Sequence, residues 1–380
     1  MQPFAQSLTP EIAFAAGALK ELGERATALA GGKASVLIVA DPVLTKLGQT
    51  ARAIAILEEQ GHKAVVYDGF KGEPKAADVD AATAIGRAAQ AQIVVGFGGG
   101  SSLDTSKLVA STIVSGLVAE SYALCATPLP RTPLPIIAVP TTAGTGSEVT
   151  RTVIFTTASG AKVWAWGDEL KPRLALLDPE LTTGIPGPIT AATGLDALVH
   201  AMEASTSTRR HDAIDMFCHR AISLISQSLV KAVNEPANIQ ARGKMLLGSA
   251  YAGIGIDNCG TALAHNISHA MGSLAPIMHG RATGIAMYAT IEWAAEGNKD
   301  AFAKVADAMA AKSAVTAFRD ITRATGMKLS LDGDGLDLSR PERLAEQMAA
   351  PENAPMRSGT ARTVADADLL TLAKMTYAAA

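Results

Sequence analysis

Four short apolar runs in the first half of the chain each break off at an aspartate, glycine or proline, and this pattern constrains the fold most. The run 36–39 leads to Asp41 and Pro42, 64–67 to Asp68 and Gly69, 93–95 to Gly96, and 136–139 to Pro140. Continuous β-branched runs of this length are characteristic of strands buried on both faces. Helical patterns at 44–60 and 78–90 separate them. Strands alternating with helices predict a mostly parallel sheet covered on both sides. In such sheets a ligand binds at the carboxyl ends of the strands, where these aspartates and glycines fall.

After a last run at 174–177 the texture changes. Residues 178–188 hold three prolines and two glycines, and from about Thr190 onward only helical spacing recurs. Breaks fall near 234–236 and at 331–335, an acidic glycine turn that lacks the full ligand set of a calcium loop. The expected architecture is an α/β domain over 1–187, a Rossmann-like variant that binds a dinucleotide. An all-α domain over 188–380 follows, and it is expected to bind a metal.

Composition narrows the function classes. Hydrophobic residues at 48% and charged residues at 18% describe a folded protein rather than a disordered one. A net charge of −3 with 4% aromatics gives no basic field and no stacking platform for nucleic acid. No apolar run reaches the length of a membrane span, and the first residues lack the pattern of a secretory signal. Cys125, Cys218 and Cys259 are odd in number and widely spaced, so neither a disulfide framework nor a zinc pair is expected. They read as buried small side chains in a cytoplasmic protein, and the sequon at Asn266 is expected to carry no glycan.

Two loops carry the first chemistry. Gly96-Phe97-Gly98-Gly99-Gly100-Ser101-Ser102 follows a strand and precedes a helical segment. Glycines admit a phosphate close to backbone amides, and a helix start adds its dipole. Pro140-Thr141-Thr142-Ala143-Gly144-Thr145-Gly146-Ser147-Glu148 follows another strand and adds hydroxyls. Asp41, at the end of an earlier strand, is placed to accept ribose hydroxyls, although taken by itself a turn role before Pro42 is the stronger reading. The acidic residue precedes the glycine loop, which reverses the usual dinucleotide fingerprint.

The second half supplies metal chemistry. Asp196 and His200 stand at i and i+4 of one helical run, with Glu203 near the same face. His265 and His269 stand at i and i+4 of another, and His279 follows. One carboxylate and several imidazoles suit a first-row divalent ion such as Fe²⁺ or Zn²⁺. Spacing alone leaves open which two of His265, His269 and His279 complete the set, and whether Glu203 joins it. Neither an HExxH zinc site nor a GxSxG elbow is present, which argues against hydrolysis.

In combination these segments make the chain resemble the iron-containing, or group III, alcohol dehydrogenases. Residues 98–107 are similar to the family's GGGSxxDxxK loop, and 140–150 to its PTTAGTGSEVT segment. Residues 196–204 are similar to DALxHAxEA, and 265–280 to its HxxxH(x)nHG stretch. The resemblance implies that Asp196, His200, His265 and His279 hold the metal, with His269 beside it for substrate or proton handling. It implies that Gly98, Gly99, Gly100, Ser101, Ser102 and Asp104 serve the cofactor pyrophosphate. Thr141, Thr142 and Thr145 would line the cofactor cleft, and Lys162 aligns with a cofactor-contacting lysine. Asp41 matches a position whose carboxylate favours NAD over NADP.

The implied activity is hydride transfer between NAD(H) and a small alcohol or aldehyde, assisted by Fe²⁺ or Zn²⁺, in a cleft between the domains. The family implies a homo-oligomer, commonly a dimer. Maleylacetate reductases and glycerol dehydrogenases share the architecture, and the former usually lack the counterparts of Asp196 and Asp104; a hydroxyacid–oxoacid transhydrogenase with bound cofactor is a further alternative. From another class, a non-catalytic cofactor-binding protein would need no complete ligand set. Ser205, His211-Asp212 and the stretch Ile256-Asp257-Asn258-Cys259 depart from the family pattern, and Arg151, Trp164 and Trp166 flank the cofactor segment. These departures leave the substrate open.

Overall fold

Each apolar run forms a parallel strand of one six-stranded sheet. In the computed structural model, which describes residues 4–70 and 72–379, they are β2 (Ser35–Ala40), β3 (Lys63–Tyr67), β4 (Ile93–Gly98), β5 (Ile136–Pro140) and β8 (Leu174–Leu177). A short strand at the edge, β1 (Glu11–Phe14), completes the order β1-β8-β5-β4-β2-β3, with every pairing parallel. Alternate residues feed two cores. Leu37, Val39, Val94 and Ile136 join one, while Val36, Ile38, Ile93, Val95 and Ile137 join the other. The expected doubly covered sheet is therefore present, and its continuous apolar runs follow from it.

The helices of this unit are α1 (Leu22–Ala30), α2 (Pro42–Lys46), α3 (Gln49–Glu59), α4 (Ala76–Ala88) and α5 (Gly100–Ser115). The pattern over 44–60 reads as one helix in sequence, but Gly48 at φ 75° splits it into α2 and α3. A hairpin of β6 (Thr152–Thr156) and β7 (Lys162–Trp166) forms a separate antiparallel pair. Neither this hairpin nor β1 stands out in the sequence reading.

The second unit is helical, with no strand among its described residues. It comprises α6 (Gly187–Thr206), α7 (Asp212–Ser226), α8 (Leu229–Asn234), α9 (Ile239–Cys259), α10 (Leu263–Leu274) and α11 (His279–Gly297). There follow α12 (Lys299–Ala308), α13 (Ala314–Ala324), α14 (Pro341–Met348), α15 (Ala354–Gly359) and α16 (Asp366–Ala379). It begins at Thr183, and it also takes in the described residues up to Ser7 and the segment Ala143–Gly146.

No single helix among the described residues is long and apolar enough to cross a membrane. Cys218 and Cys259 are buried thiols, whereas Cys125 is exposed. The chain there leaves a short 3₁₀ turn with Leu124 and Cys125 both at positive φ, which carries the thiol outward against the expectation of burial. Asn266 is fully buried, its amide donating to the carbonyls of Met348 and Asn353, so no glycan fits on it.

Candidate functional site

At the carboxyl end of the sheet, β4 runs out in Gly98 with φ 152°, a region open to glycine alone. A Cβ at Gly98 would stand 2.6 Å from Ser102 Oγ and 3.0 Å from Asp41 Cβ. Gly99 caps α5 without any side-chain bond to the first amides of that helix. A Cβ at Gly99 would lie 3.4 Å from Thr142 Oγ1, and the Thr141 amide donates to Gly98 O at 2.9 Å. Ser102 Oγ is buried without a hydrogen-bond partner. Open amides, a helix start and bare glycine walls make this a cradle for an anion. Asp41 flanks it and caps α2, accepting from the Val43 amide at 2.8 Å. Its observed role is the turn role before Pro42.

The structure brings Asp41, Gly98, Gly99, Gly100, Ser101, Ser102, Thr141 and Thr142 to this one end of the sheet. Asp104 is engaged otherwise. It accepts from Ser147 Oγ and, at 2.9 Å, from the Ile154 amide, and it lies 3.6 Å from Lys107 Nζ. Its carboxylate ties α5 to the loop before β6. Lys162, at the start of β7, pairs with Glu73 at 2.8 Å, and Thr145 belongs to the helical unit. Arg151 stacks over Trp166 and pairs with Asp168 at 2.9 Å, a structural arrangement.

Sequence reasoning missed a buried network behind the cradle. Lys107 is wholly buried and donates to Thr150 Oγ1 at 3.1 Å and Thr152 O at 2.9 Å. Burial pushes the Glu148 carboxyl up to about 7, opposed by a backbone bond and by the charge of Lys107. The Asp104-to-Lys107 spacing within the GGGSxxDxxK loop was the available signal.

The second cluster lies within the helical unit. Helix α6 is buried around nearly its whole circumference, so Asp196, His200 and Glu203 are all withdrawn from water. Three imidazole nitrogens converge on one carboxylate oxygen. Asp196 Oδ1 is 3.6 Å from His265 Nε2, 3.7 Å from His279 Nε2 and 4.0 Å from His200 Nε2. Asp196, His265 and His279 offer ligand atoms that all lie within 4.8 Å of one another. Gly280 makes this approach possible, because a Cβ there would sit 2.5 Å from Ala192 O and 3.2 Å from Asp196 Cβ. Bare backbone lets the start of α11 press His279 against α6.

Hydrogen bonds set the ring orientations. A carbonyl only accepts, so His200 Nδ1, 3.2 Å from Gly144 O, carries a proton. His265 Nδ1 stands 2.6 Å from Glu203 Oε2, whose carboxylate also accepts two backbone amides, so this nitrogen is protonated as well. Each ring therefore turns its Nε2 toward Asp196. Burial alone would raise the Asp196 pKa, but the charges of His200, His279 and His265 hold it well below the usual carboxylate range. Burial lowers His200 against the pull of Asp196. His265, which burial would also lower, is instead raised to about 9 by Glu203 and Asp196.

Asp196 Oδ1 and His265 Nε2 are both buried without hydrogen-bond partners. Such orphans are costly unless something satisfies them. Donors sharing one ion at about 2.0–2.2 Å in a tetrahedral shell stand ~3.4 Å apart, close to the separations found here. The donor set and its geometry fit a divalent first-row ion. His269, one turn beyond His265, has its ring centroid 6.5 Å from that of His265 and 5.4 Å from that of His279. Glu203, an outside candidate for ligation by its spacing, faces the far side of His265 instead.

Comparison with known proteins gives the family. The model described as "Iron-containing alcohol dehydrogenase" matches residues 9–179, and "Fe-containing alcohol dehydrogenase family, C-terminal" matches 190–376. The chain belongs to the iron-containing alcohol dehydrogenase family. It is 35% identical to "Probable alcohol dehydrogenase EutG" of Salmonella typhimurium, over 98% of this chain and 94% of that one. A crystal structure of 1,3-propanediol oxidoreductase superposes with a TM-score of 0.91 at 29% identity, covering 99% of this chain and 100% of that one. Sulfoacetaldehyde reductase from Bifidobacterium kashiwanohense, solved in complex with NAD⁺, gives 0.90 at 29% identity, with 99% of each chain covered. Like other iron-containing alcohol dehydrogenases, the chain is an oxidoreductase that acts on alcohols.

Proposed function

We propose that the chain is an NAD-dependent alcohol dehydrogenase or aldehyde reductase in which Asp196, His200, His265 and His279 hold Fe²⁺, with Zn²⁺ accepted by the same set. The observation that carries this reading is the convergence of three Nε2 atoms on the unpartnered Asp196 Oδ1. When bound, the ion supplies Lewis acidity toward a substrate oxygen and the nicotinamide supplies or accepts the hydride.

The chain's own residues have separate tasks. The amides of Gly99 to Ser102 and the start of α5 neutralise the pyrophosphate, while Thr141 and Thr142 line the same end of the sheet. Asp41 accepts the ribose hydroxyls and repels a 2′-phosphate, so NAD is favoured over NADP. Asp104 holds the loop that carries Thr141 and Thr142 rather than touching the cofactor. His269, beside His279, passes the hydroxyl proton between substrate and solvent. Three free thiols support a reducing, cytoplasmic setting.

The test is anaerobic purification with iron and zinc quantified, followed by NADH and NADPH oxidation against a panel of small aldehydes. We expect one divalent ion per chain, preference for NADH, and loss of activity on chelation and in His279→Ala. Activity that survives both treatments overturns the metal reading. A preference for NADPH overturns the role of Asp41.

A further inference from the structure

We propose that Glu203 is the positioning residue of the metal centre, capping α10 from outside and aiming His265 through the same carboxylate. The inference rests on the reading that Asp196 and the histidines hold a divalent ion. It concerns a residue that would bind neither the ion nor the substrate.

Helix α10 begins without a cap of its own. Its N-cap is Ala262, which offers no side-chain acceptor, and an uncapped helix start leaves amides unsatisfied. Glu203, projecting from α6, supplies the missing acceptor in trans. Its Oε2 accepts from the Ala262 amide at 2.8 Å and its Oε1 from the Ala264 amide at 2.6 Å. The positive end of the helix dipole favours an acceptor of this kind there, and Glu203 is only 3% exposed.

The remaining capacity of Oε2 goes to His265 Nδ1 at 2.6 Å. The Glu203 oxygen accepts here, so it holds a proton on His265 Nδ1 and leaves Nε2 as the nitrogen that a metal would take. It also fixes the plane of the ring. His265 Nε2 is then directed at Asp196 Oδ1, where no protein donor or acceptor meets it. Asp196, His200 and Glu203 lie on one face of α6 at i, i+4 and i+7. One helix therefore presents two proposed ligands and the residue that aims a third.

Glutamine has the same shape but cannot reproduce this pattern. Placing its oxygen toward His265 turns its NH₂ against the Ala264 amide. Placing its NH₂ toward His265 demands the opposite tautomer, with Nε2 protonated and unable to bind metal. Carboxylate partners of metal-bound histidines typically contribute 10- to 100-fold in metal affinity.

The experiment uses the full chain stripped of metal and titrated with Co²⁺ and Zn²⁺ against a chromophoric chelator. It compares wild type, Glu203→Gln and Glu203→Asp. The readouts are affinity, the visible Co²⁺ spectrum and, in Zn²⁺-loaded protein, the ¹⁵N shifts of labelled histidine. We expect Zn²⁺ affinity to fall ~10- to 100-fold in Glu203→Gln with an altered Co²⁺ spectrum, partial recovery in Glu203→Asp, and a Zn²⁺-loaded wild type with His265 protonated at Nδ1. Wild-type binding matched within about threefold by Glu203→Gln, with an unchanged spectrum, overturns the positioning role alone. Failure of the wild type to bind either ion overturns the metal reading and this inference with it. Should Glu203→Gln not fold, the wild-type spectrum decides: zinc on Nδ1 of His265 overturns the proposal.

Discussion

Glu148 is buried within reach of the charge of Lys107, and its carboxyl is raised from 4.5 to about 7 by burial. The folded chain thus holds a proton between these values that the unfolded chain has released. Stability contributed by the neutral form is complete below pH 4.5 and lost as pH rises through about 7. At ~1.4 kcal/mol per pH unit, the loss is on the order of 3 kcal/mol. Glu148→Gln should remove it, so the denaturation midpoint of wild type falls from pH 5 to pH 8 by more than that of the variant. Parallel curves for the two proteins would contradict the assignment. The proposed ligands were legible as residues because aspartate and histidine at helical spacing are rare and chemically distinctive. Glu148 and Glu203 were not, because their roles depend on Lys107, Ala262 and Ala264, to which sequence spacing does not connect them.

Helix contacts place the chemistry as much as the side chains do. Gly280 lets α11 begin against the backbone of α6, with Ala192 O only 2.5 Å from where a Cβ would stand. An alanine inside a helix ordinarily gains stability over glycine, but here the backbone cannot yield without moving His279 from Asp196. Gly280→Ala is expected to destabilise by about 1–3 kcal/mol, as overpacked sites do, and to reduce bound metal well below one ion per chain. Metal analysis paired with urea midpoints tests this, and a variant that is more stable and fully loaded would refute it. The central strands were readable because they are buried on both faces and apolar throughout. The edge strand β1 has four residues and a mostly open burial pattern, so its apolar signal is weak. The β6–β7 hairpin does alternate buried and partly exposed positions, a period-2 signal that five residues per strand make faint.

For the molecule as a whole, the proposed ion would join α6, α10 and α11, all of one unit. Ligand linkage then predicts stabilisation of ~2.7 kcal/mol at a free ion concentration of 100 Kd. Amide exchange should slow in those three helices on adding Zn²⁺ and stay unchanged in the parallel sheet; protection confined to the sheet would contradict the placement. The two family segments, 9–179 and 190–376, look like interchangeable cassettes. They are not, because the acceptor that orients His200 is the carbonyl of Gly144, which lies in the first segment but packs as part of the helical unit. A chimera joining the helical segment of this chain to the α/β segment of a relative would inherit a foreign partner for one of its proposed metal ligands. Divergence in the loop at 143–146 is thereby constrained by a proposed metal ligand on α6, a helix that begins about forty residues later in the chain.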